Sequence, residues 1–234
     1  MSIRAVTGAV VDALLPRRCM LCGARAKGES VCPSCAMELP DLPDSCCPRC
    51  ALPGAGGRPC GVCLKHPPRF DTTTALYAYA FPADRLIHSL KYGRRLASAD
   101  FLATRLATRA IASGHPAPDR IVPVPLSRRR LAERGFNQAM EIARTLAARL
   151  GGIVDTAAVE RVQDTPPLAA LPFAARRRRI RHAFECRADL GGQCIWVIDD
   201  VMTTGATLNE VATVLKRHGA AQVHNFVVAR TLRE

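Results

Sequence analysis

Four C-x-x-C pairs constrain this chain more than any other feature: Cys19/Cys22, Cys32/Cys35, Cys47/Cys50 and Cys60/Cys63. Two intervening residues let both sulfurs of a tight turn face one metal ion, and two such turns close a tetrahedral site of four thiolates. Each half reads C-x2-C-x9-C-x2-C, so the segment consists of two copies of one zinc-binding unit joined by Leu39-Pro40-Asp41-Leu42-Pro43. The spacing leaves the pairing open, since first-with-second and third-with-fourth is only the simplest of three combinations. Closed sites of this kind are structural. A disulfide framework is the rival reading, but Cys46 makes the local count odd and no secretory layout precedes the cysteines. Cys46 is therefore a bystander. The segment is rich in Pro and Gly and poor in aromatics, so metal must supply most of its folding free energy. Cys186 and Cys194, far away, read as small apolar residues.

The remainder must bury a core of its own, and a hydrophobic content of 48% allows it. No apolar run reaches the roughly 20 residues needed to span a bilayer. The best candidate, Ala5 to Leu15, contains Asp12 and reads as a short amphipathic helix. The expected location is the cytoplasm. The formal charge of +13 drops to about +9 once eight thiolates hold two Zn²⁺, so the protein stays basic. Arginines cluster at Arg94-Arg95, Arg128 to Arg130, and Arg176 to Arg179 with Arg181. Such runs face solvent or a polyanion.

From Asp71 onward short β-rich runs alternate with helical ones, which predicts an α/β fold: a mostly parallel sheet with flanking helices. The expected strands are Thr73 to Ala80, Arg120 to Val124, Cys194 to Ile198 and Gln222 to Ala229. Ala139, Ile142, Ala143, Leu146, Ala147 and Leu150 form one helical stripe stopped by Gly151-Gly152. Leu208, Val211, Ala212 and Leu215 form another, stopped by Gly219. The stretch from Glu160 to Arg181 lacks periodicity and reads as an excursion or a flap. The expected division is residues 1–68 for a double zinc-ribbon module with an N-terminal helix and 69–234 for the α/β body.

The run Cys194-Ile195-Trp196-Val197-Ile198-Asp199-Asp200-Val201-Met202-Thr203-Thr204-Gly205-Ala206-Thr207-Leu208 carries the chemistry. A buried strand leads into two acids, a turn bearing hydroxyls and glycine, and a helix start. Ligands of open parallel sheets bind beyond the carboxyl ends of the strands. Adjacent carboxylates there can accept hydrogen bonds from two ribose hydroxyls and sit near a Mg²⁺ that bridges to phosphate. Thr203, Thr204 and Thr207 offer hydroxyls, Gly205 lets backbone approach, and the helix N-terminus favours an anion. A loop acid pair with Thr204 as a simple N-cap leaves the two acids after a continuous apolar strand unexplained. The run lacks a Walker lysine, which excludes a P-loop nucleoside triphosphatase.

This run resembles the phosphoribosyl-pyrophosphate (PRPP) motif of type I phosphoribosyltransferases. The resemblance implies that Asp199 and Asp200 hold the ribose hydroxyls and that Thr203, Thr204, Gly205, Ala206 and Thr207 hold the 5′-phosphate. Ile87-His88-Ser89-Leu90-Lys91-Tyr92-Gly93, Pro123-Val124-Pro125-Leu126 and Arg134-Gly135-Phe136-Asn137-Gln138 resemble the ComF (ComFC) family of competence proteins, which also carries an N-terminal zinc ribbon. That likeness implies a pyrophosphate loop after Pro125, with Leu126 and Ser127 as backbone donors and Lys91 and Arg128 as charge partners. It further implies two structural Zn²⁺, Mg²⁺ with PRPP, and a link to DNA uptake, with single-stranded DNA and competence proteins as candidate partners. The chain departs from the family in the flap, with Leu168 after Thr165 and Arg179 before Ala183-Phe184. No residue is singled out as a general base. The two functions to separate are a phosphoribosyltransferase and a sensor of PRPP or a nucleotide that does not turn over.

Overall fold

A computed structural model describes residues 18–26, 29–92, 96–164 and 180–232. Four strands make one parallel sheet: β1 (Thr72–Ala78), β2 (Arg120–Pro123), β5 (Cys194–Met202) and β6 (Gln222–Arg230), in the order β1-β6-β5-β2. These are the four expected strands, with ends shifted by a few residues. Their continuous apolar character has a physical cause: a parallel sheet is covered on both faces, so alternate residues all need partners. Ile195 and Val197 of β5 join one apolar cluster, whereas Trp196 and Ile198 join the other. On the first face lies α7 (Ala206–Arg217), packing Leu208, Val211 and Leu215. On the second lie α3 (Ala83–Tyr92), α4 (Leu96–Ala112) and α6 (Gln138–Leu150), with Leu86, Leu106 and Ile142 among the buried residues. Both predicted helical stripes are the buried faces of α6 and α7, and Gly151 ends α6 in the left-handed conformation that only glycine adopts cheaply.

Each ribbon covers a different face of the sheet. The first ribbon, with α1 (Pro33–Met37), sends Cys19, Val31 and Leu39 into the α3/α4/α6 cluster. The second, with α2 (Gly61–Lys65), sends Cys47, Cys50, Cys63 and the following Phe70 into the α7 cluster. The Leu39 to Pro43 linker does more than connect. Ala78 N–H donates to Pro40 O and Leu42 N–H to Leu76 O, each at 2.8 Å, so the linker pairs with the outer edge of β1. At the opposite edge Ile121 N–H donates to Ile153 O and Asp155 N–H to Ile121 O. Both sheet edges are thereby shielded from stray pairing.

One expected strand end needs revision. The strand leading to the acid pair continues through Asp199 and Asp200 to Met202, because β6 offers partners along its whole length: Asp199 pairs with Val227 and Met202 with Arg230. The excursion from Glu160 to Arg181 is bracketed by two short strands, β3 (Val159–Arg161) and β4 (Phe184–Cys186), paired antiparallel. Three-residue strands carry too few alternations to show a period. Among the described residues one more helix, α5 (Arg128–Arg134), follows β2. The expected N-terminal helix, Arg94-Arg95, Thr165, Leu168 and Arg176 to Arg179 lie outside the described residues.

Candidate functional site

The eight paired cysteines assemble as two sets, Cys19/Cys22/Cys32/Cys35 and Cys47/Cys50/Cys60/Cys63, each with its sulfurs within 4.8 Å of one another. This is the first-with-second, third-with-fourth pairing. A tetrahedral zinc with bonds near 2.3 Å demands sulfurs about 3.8 Å apart. Cys22 and Cys32 Sγ stand at 3.8 Å and Cys50 and Cys60 Sγ at 3.7 Å, so the donor sets fit structural Zn²⁺. Backbone donors complete each site: Cys32 N–H lies 3.4 Å from Cys19 Sγ, and Cys60 N–H 3.2 Å from Cys47 Sγ. Burial opposes the Cys19 thiolate, but the N–H groups of Cys22 and Cys32 outweigh it and bring Cys19 down to about 6. Cys46 belongs to neither set, and Cys186 and Cys194 are buried away from both.

At the carboxyl ends of β2 and β5 a cavity of about 900 Å³ opens, lined by Asp199 and Asp200. Asp200 N–H donates to Asp199 Oδ1 at 2.8 Å. Lys91, in the last turn of α3, sets Nζ 2.9 Å from Asp200 Oδ2. Asp199 is half-buried by surface but enclosed by protein, and burial, then the Asp200 charge, push its carboxyl up to about 8. Asp200 thus meets an ammonium, while burial and its neighbour's charge oppose ionisation of Asp199.

The turn after β5 divides between two cavities. Thr203 and Thr207 line the large one; Thr204, Gly205 and Ala206 line a second of about 220 Å³ between the turn and the second ribbon. Gly205 is the N-cap of α7 with φ +78°, a left-handed conformation that strains any side chain, and a Cβ there would also displace the Met202 methyl, 2.6 Å away. Thr204 Oγ1 accepts from Ala206 N–H at 3.3 Å.

Of the residues expected at a pyrophosphate loop, Lys91 and Leu126 line the large cavity. Ser127 is buried and caps α5, accepting from Arg130 N–H at 3.4 Å. Arg128 stands outside the lining, its guanidinium 3.6 Å from Glu160. Arg129, Arg130, Arg134 and Arg161 line the cavity instead, with His88 and Asn137. The Arg128 to Arg130 run signalled the first two, but without the phase of α5 the sequence could not say which arginine turns inward. Arg161 sits on β3, a strand with no sequence signal. Asn137 caps α6 through Ala139 N–H and donates from Nδ2 to Val124 O, both at 3.0 Å, tying that helix to the loop after β2.

Gln138, which the sequence marks only as part of the Arg134 to Gln138 run, also takes a place at the site. It lines the large cavity yet is only 2% exposed, and its Oε1 accepts from Arg134 Nη1 at 3.0 Å. That bond fixes the amide orientation and leaves Nε2 buried without a hydrogen-bond partner. An orphaned buried donor costs about 1–3 kcal/mol.

Paired S4 ribbons on a parallel sheet, with an acid pair and a glycine turn at its carboxyl edge, define a double-zinc-ribbon protein with a phosphoribosyltransferase-like domain. Comparison with known families agrees: a double zinc ribbon domain matches residues 10–64 and a phosphoribosyl transferase domain residues 131–233. The chain is 38% identical over 207 residues to the DNA utilization protein YhgH of Salmonella typhi, covering 86% of this chain and 91% of that protein. It is 32% identical over 180 residues to competence protein F of Haemophilus influenzae, covering 73% and 78%. Competence protein ComFC of Bacillus subtilis is 29% identical over 224 residues, covering 87% and 85%. The chain belongs to the ComF family.

Proposed function

We propose that the large cavity binds PRPP with Mg²⁺ and transfers its phosphoribosyl group to a nitrogen acceptor. The observation that carries this reading is the acid pair of β5 set in a cationic cavity. Lys91, Arg129, Arg130, Arg134 and Arg161 outnumber Asp199, Asp200 and Glu133 among the lining residues, as a diphosphate requires. Asp199 and Asp200 would accept the ribose hydroxyls and hold the cation. When bound, Mg²⁺ supplies charge neutralisation of the departing pyrophosphate. The protein's share is positioning and electrostatic stabilisation: Thr203 and Thr207 at the 5′-phosphate, and the Lys91 ammonium, Arg129 and Arg130 at the pyrophosphate. The buried Nε2 of Gln138 fits this ligand, because an anionic oxygen would satisfy it.

A sensor that binds PRPP without turnover and engages single-stranded DNA or competence proteins is the second reading, favoured by the names of the relatives. Mixing the protein with Mg²⁺, PRPP and a panel of bases separates the two. Pyrophosphate release that depends on one base supports transfer, whereas saturable binding without release supports the sensor. We assign residues 1–68 to the ribbon module and 69–234 to the transferase-like body. Among the described residues no helix is long and apolar enough to cross a membrane. Thiolate zinc sites fit a reducing compartment such as the cytoplasm.

Two predictions follow from this site. Gln138→Met removes the orphaned donor while keeping the side chain's bulk, so PRPP affinity should fall about tenfold while the ligand-free protein melts no lower than wild type. A purely structural glutamine would give the reverse, a lower melt and unchanged affinity. The second concerns pH. Asp199 titrates higher in the folded chain than its ordinary value of 3.8, so stability is fullest below that value and declines as pH rises towards about 8. Mg²⁺ must displace the same proton, so PRPP affinity should increase across roughly pH 6.5 to 8.5 as unliganded stability falls. Calorimetric titration over that range checks the first trend and thermal melts the second; Asp199→Asn should flatten the stability trend.

A further inference from the structure

Arg230, the last residue of β6, is a buried cation at 2% exposure. Its Nε donates to Cys50 O at 2.7 Å, and Cys50 is a ligand of the second zinc set. Its Nη1, with two hydrogens, lies within hydrogen-bonding distance of three carbonyls, Met202 O at 3.0 Å, Thr203 O, and Thr231 O at 2.7 Å. One guanidinium thus holds together the second ribbon, the last carbonyl of β5 and the first carbonyl of the glycine turn. We infer that Arg230 is a positioning residue through which the second zinc site sets the geometry of the phosphate-binding turn. This rests on the PRPP reading proposed above and adds to it a role for the ribbon.

A trans peptide is planar, so its C=O and N–H point in opposite directions. With the carbonyls of Met202 and Thr203 drawn towards Arg230, the N–H groups of Thr203 and Thr204 are turned away from it, which is the orientation an anion needs. Gly205 and Met202 line the same cavity as Arg230, and the φ of +78° at Gly205 lets the turn pack close against the Met202 side chain. The buried guanidinium also adds positive potential beneath the turn. Its other anchor, Cys50 O, belongs to a knuckle whose shape depends on metal, because Cys50, Cys60 and their partners must converge on one ion. Loss of that zinc frees Cys50 O to move, and the guanidinium can then no longer serve ribbon and turn together. Phe70, the apolar residue that follows the second ribbon, lies beneath Gly205 and carries the same coupling by packing. The first ribbon reaches α4 and α3 instead: Ser30 Oγ donates to Ala97 O at 3.0 Å, and Ser98 Oγ donates to Met20 Sδ at 3.3 Å and bonds Ser89 Oγ at 2.9 Å.

The test compares Cys60→Ser, which disables the second zinc site, with Cys22→Ser, which disables the first, in the full-length protein. Amide exchange of residues 203–206 without ligand, and binding of PRPP with Mg²⁺, are both read. Cys60→Ser should speed exchange at the turn by about tenfold and weaken PRPP by a similar factor, whereas Cys22→Ser should change turn exchange by no more than about twofold. Reciprocally, PRPP should slow chelator removal of the second zinc and leave the first unaffected. Arg230→Lys keeps the charge but not the fork, so it should reproduce the exchange effect while retaining both zincs. Turn exchange that is equal in the two cysteine variants, or wild-type exchange in Arg230→Lys, overturns the inference. If wild type shows no PRPP binding at all, the proposed function fails while the exchange comparison still decides the coupling.

Discussion

Replacing both acids, Asp199→Asn with Asp200→Asn, should abolish Mg-dependent PRPP binding while zinc content and folding persist. The pair sits at the ligand edge of β5 with a carboxyl pushed up by burial and by its neighbour's charge. Such crowding is a liability unless hydroxyls and a cation offset it. Asparagine keeps the shape of each side chain and removes the repulsion, which favours the unliganded fold. Lys91 loses its ion pair in exchange, so the net change in stability should stay within about 1 kcal/mol of wild type. Affinity should fall by at least about 100-fold, since asparagine is a poor ligand for a hard cation. Thermal melts with and without PRPP read both effects, because a ligand that binds only the native state raises the melting temperature. A double variant that keeps the wild-type shift contradicts the site; one that unfolds outright makes the acids structural.

The second large effect lies in the ribbons. Elemental analysis should find two zincs per chain, and Cys47→Ser should lose one of them with a destabilisation of several kcal/mol, about 3–5 in magnitude. Cys47 is fully buried, and its sulfur both belongs to the second set and receives the Cys60 N–H. Removing it unsettles the knuckle and also the apolar face that the second ribbon covers. Cys46→Ser should retain both zincs and change stability by less than about 1 kcal/mol, since its sulfur belongs to neither set. Equal zinc loss from the two variants would show that the ligands are assigned wrongly.

The four core strands and the two stripe-bearing helices were legible because each carries enough residues to display a period and a stop signal. The zinc sets were legible because spacing within a knuckle is nearly a geometric constraint, although pairing between knuckles depends on how Leu39 to Pro43 folds back along β1. What escaped the sequence depends on how side chains pack, in most cases between distant segments. Arg161 reaches the cavity from a three-residue strand that exists only because β4 pairs with it. Arg128 and Arg129 are adjacent in the chain, and only the phase of α5 on the body sends the first to Glu160 and the second to the cavity lining. Gln138 reads as an ordinary helix-start residue, and its significance comes from Arg134 having taken its oxygen. Arg230 closes a strand like any terminal arginine until Cys50, 180 positions earlier in the chain, is placed beside it.

The central claim is that the acid pair and the cationic cavity form a site for PRPP with Mg²⁺. Isothermal titration of the wild-type protein with PRPP, in the presence and absence of Mg²⁺, tests it most directly. The account predicts saturable binding of one PRPP per chain that needs Mg²⁺ and disappears in the Asp199→Asn, Asp200→Asn variant. No saturable heat at millimolar PRPP with Mg²⁺, or binding of equal strength without the cation and without the acids, would contradict it.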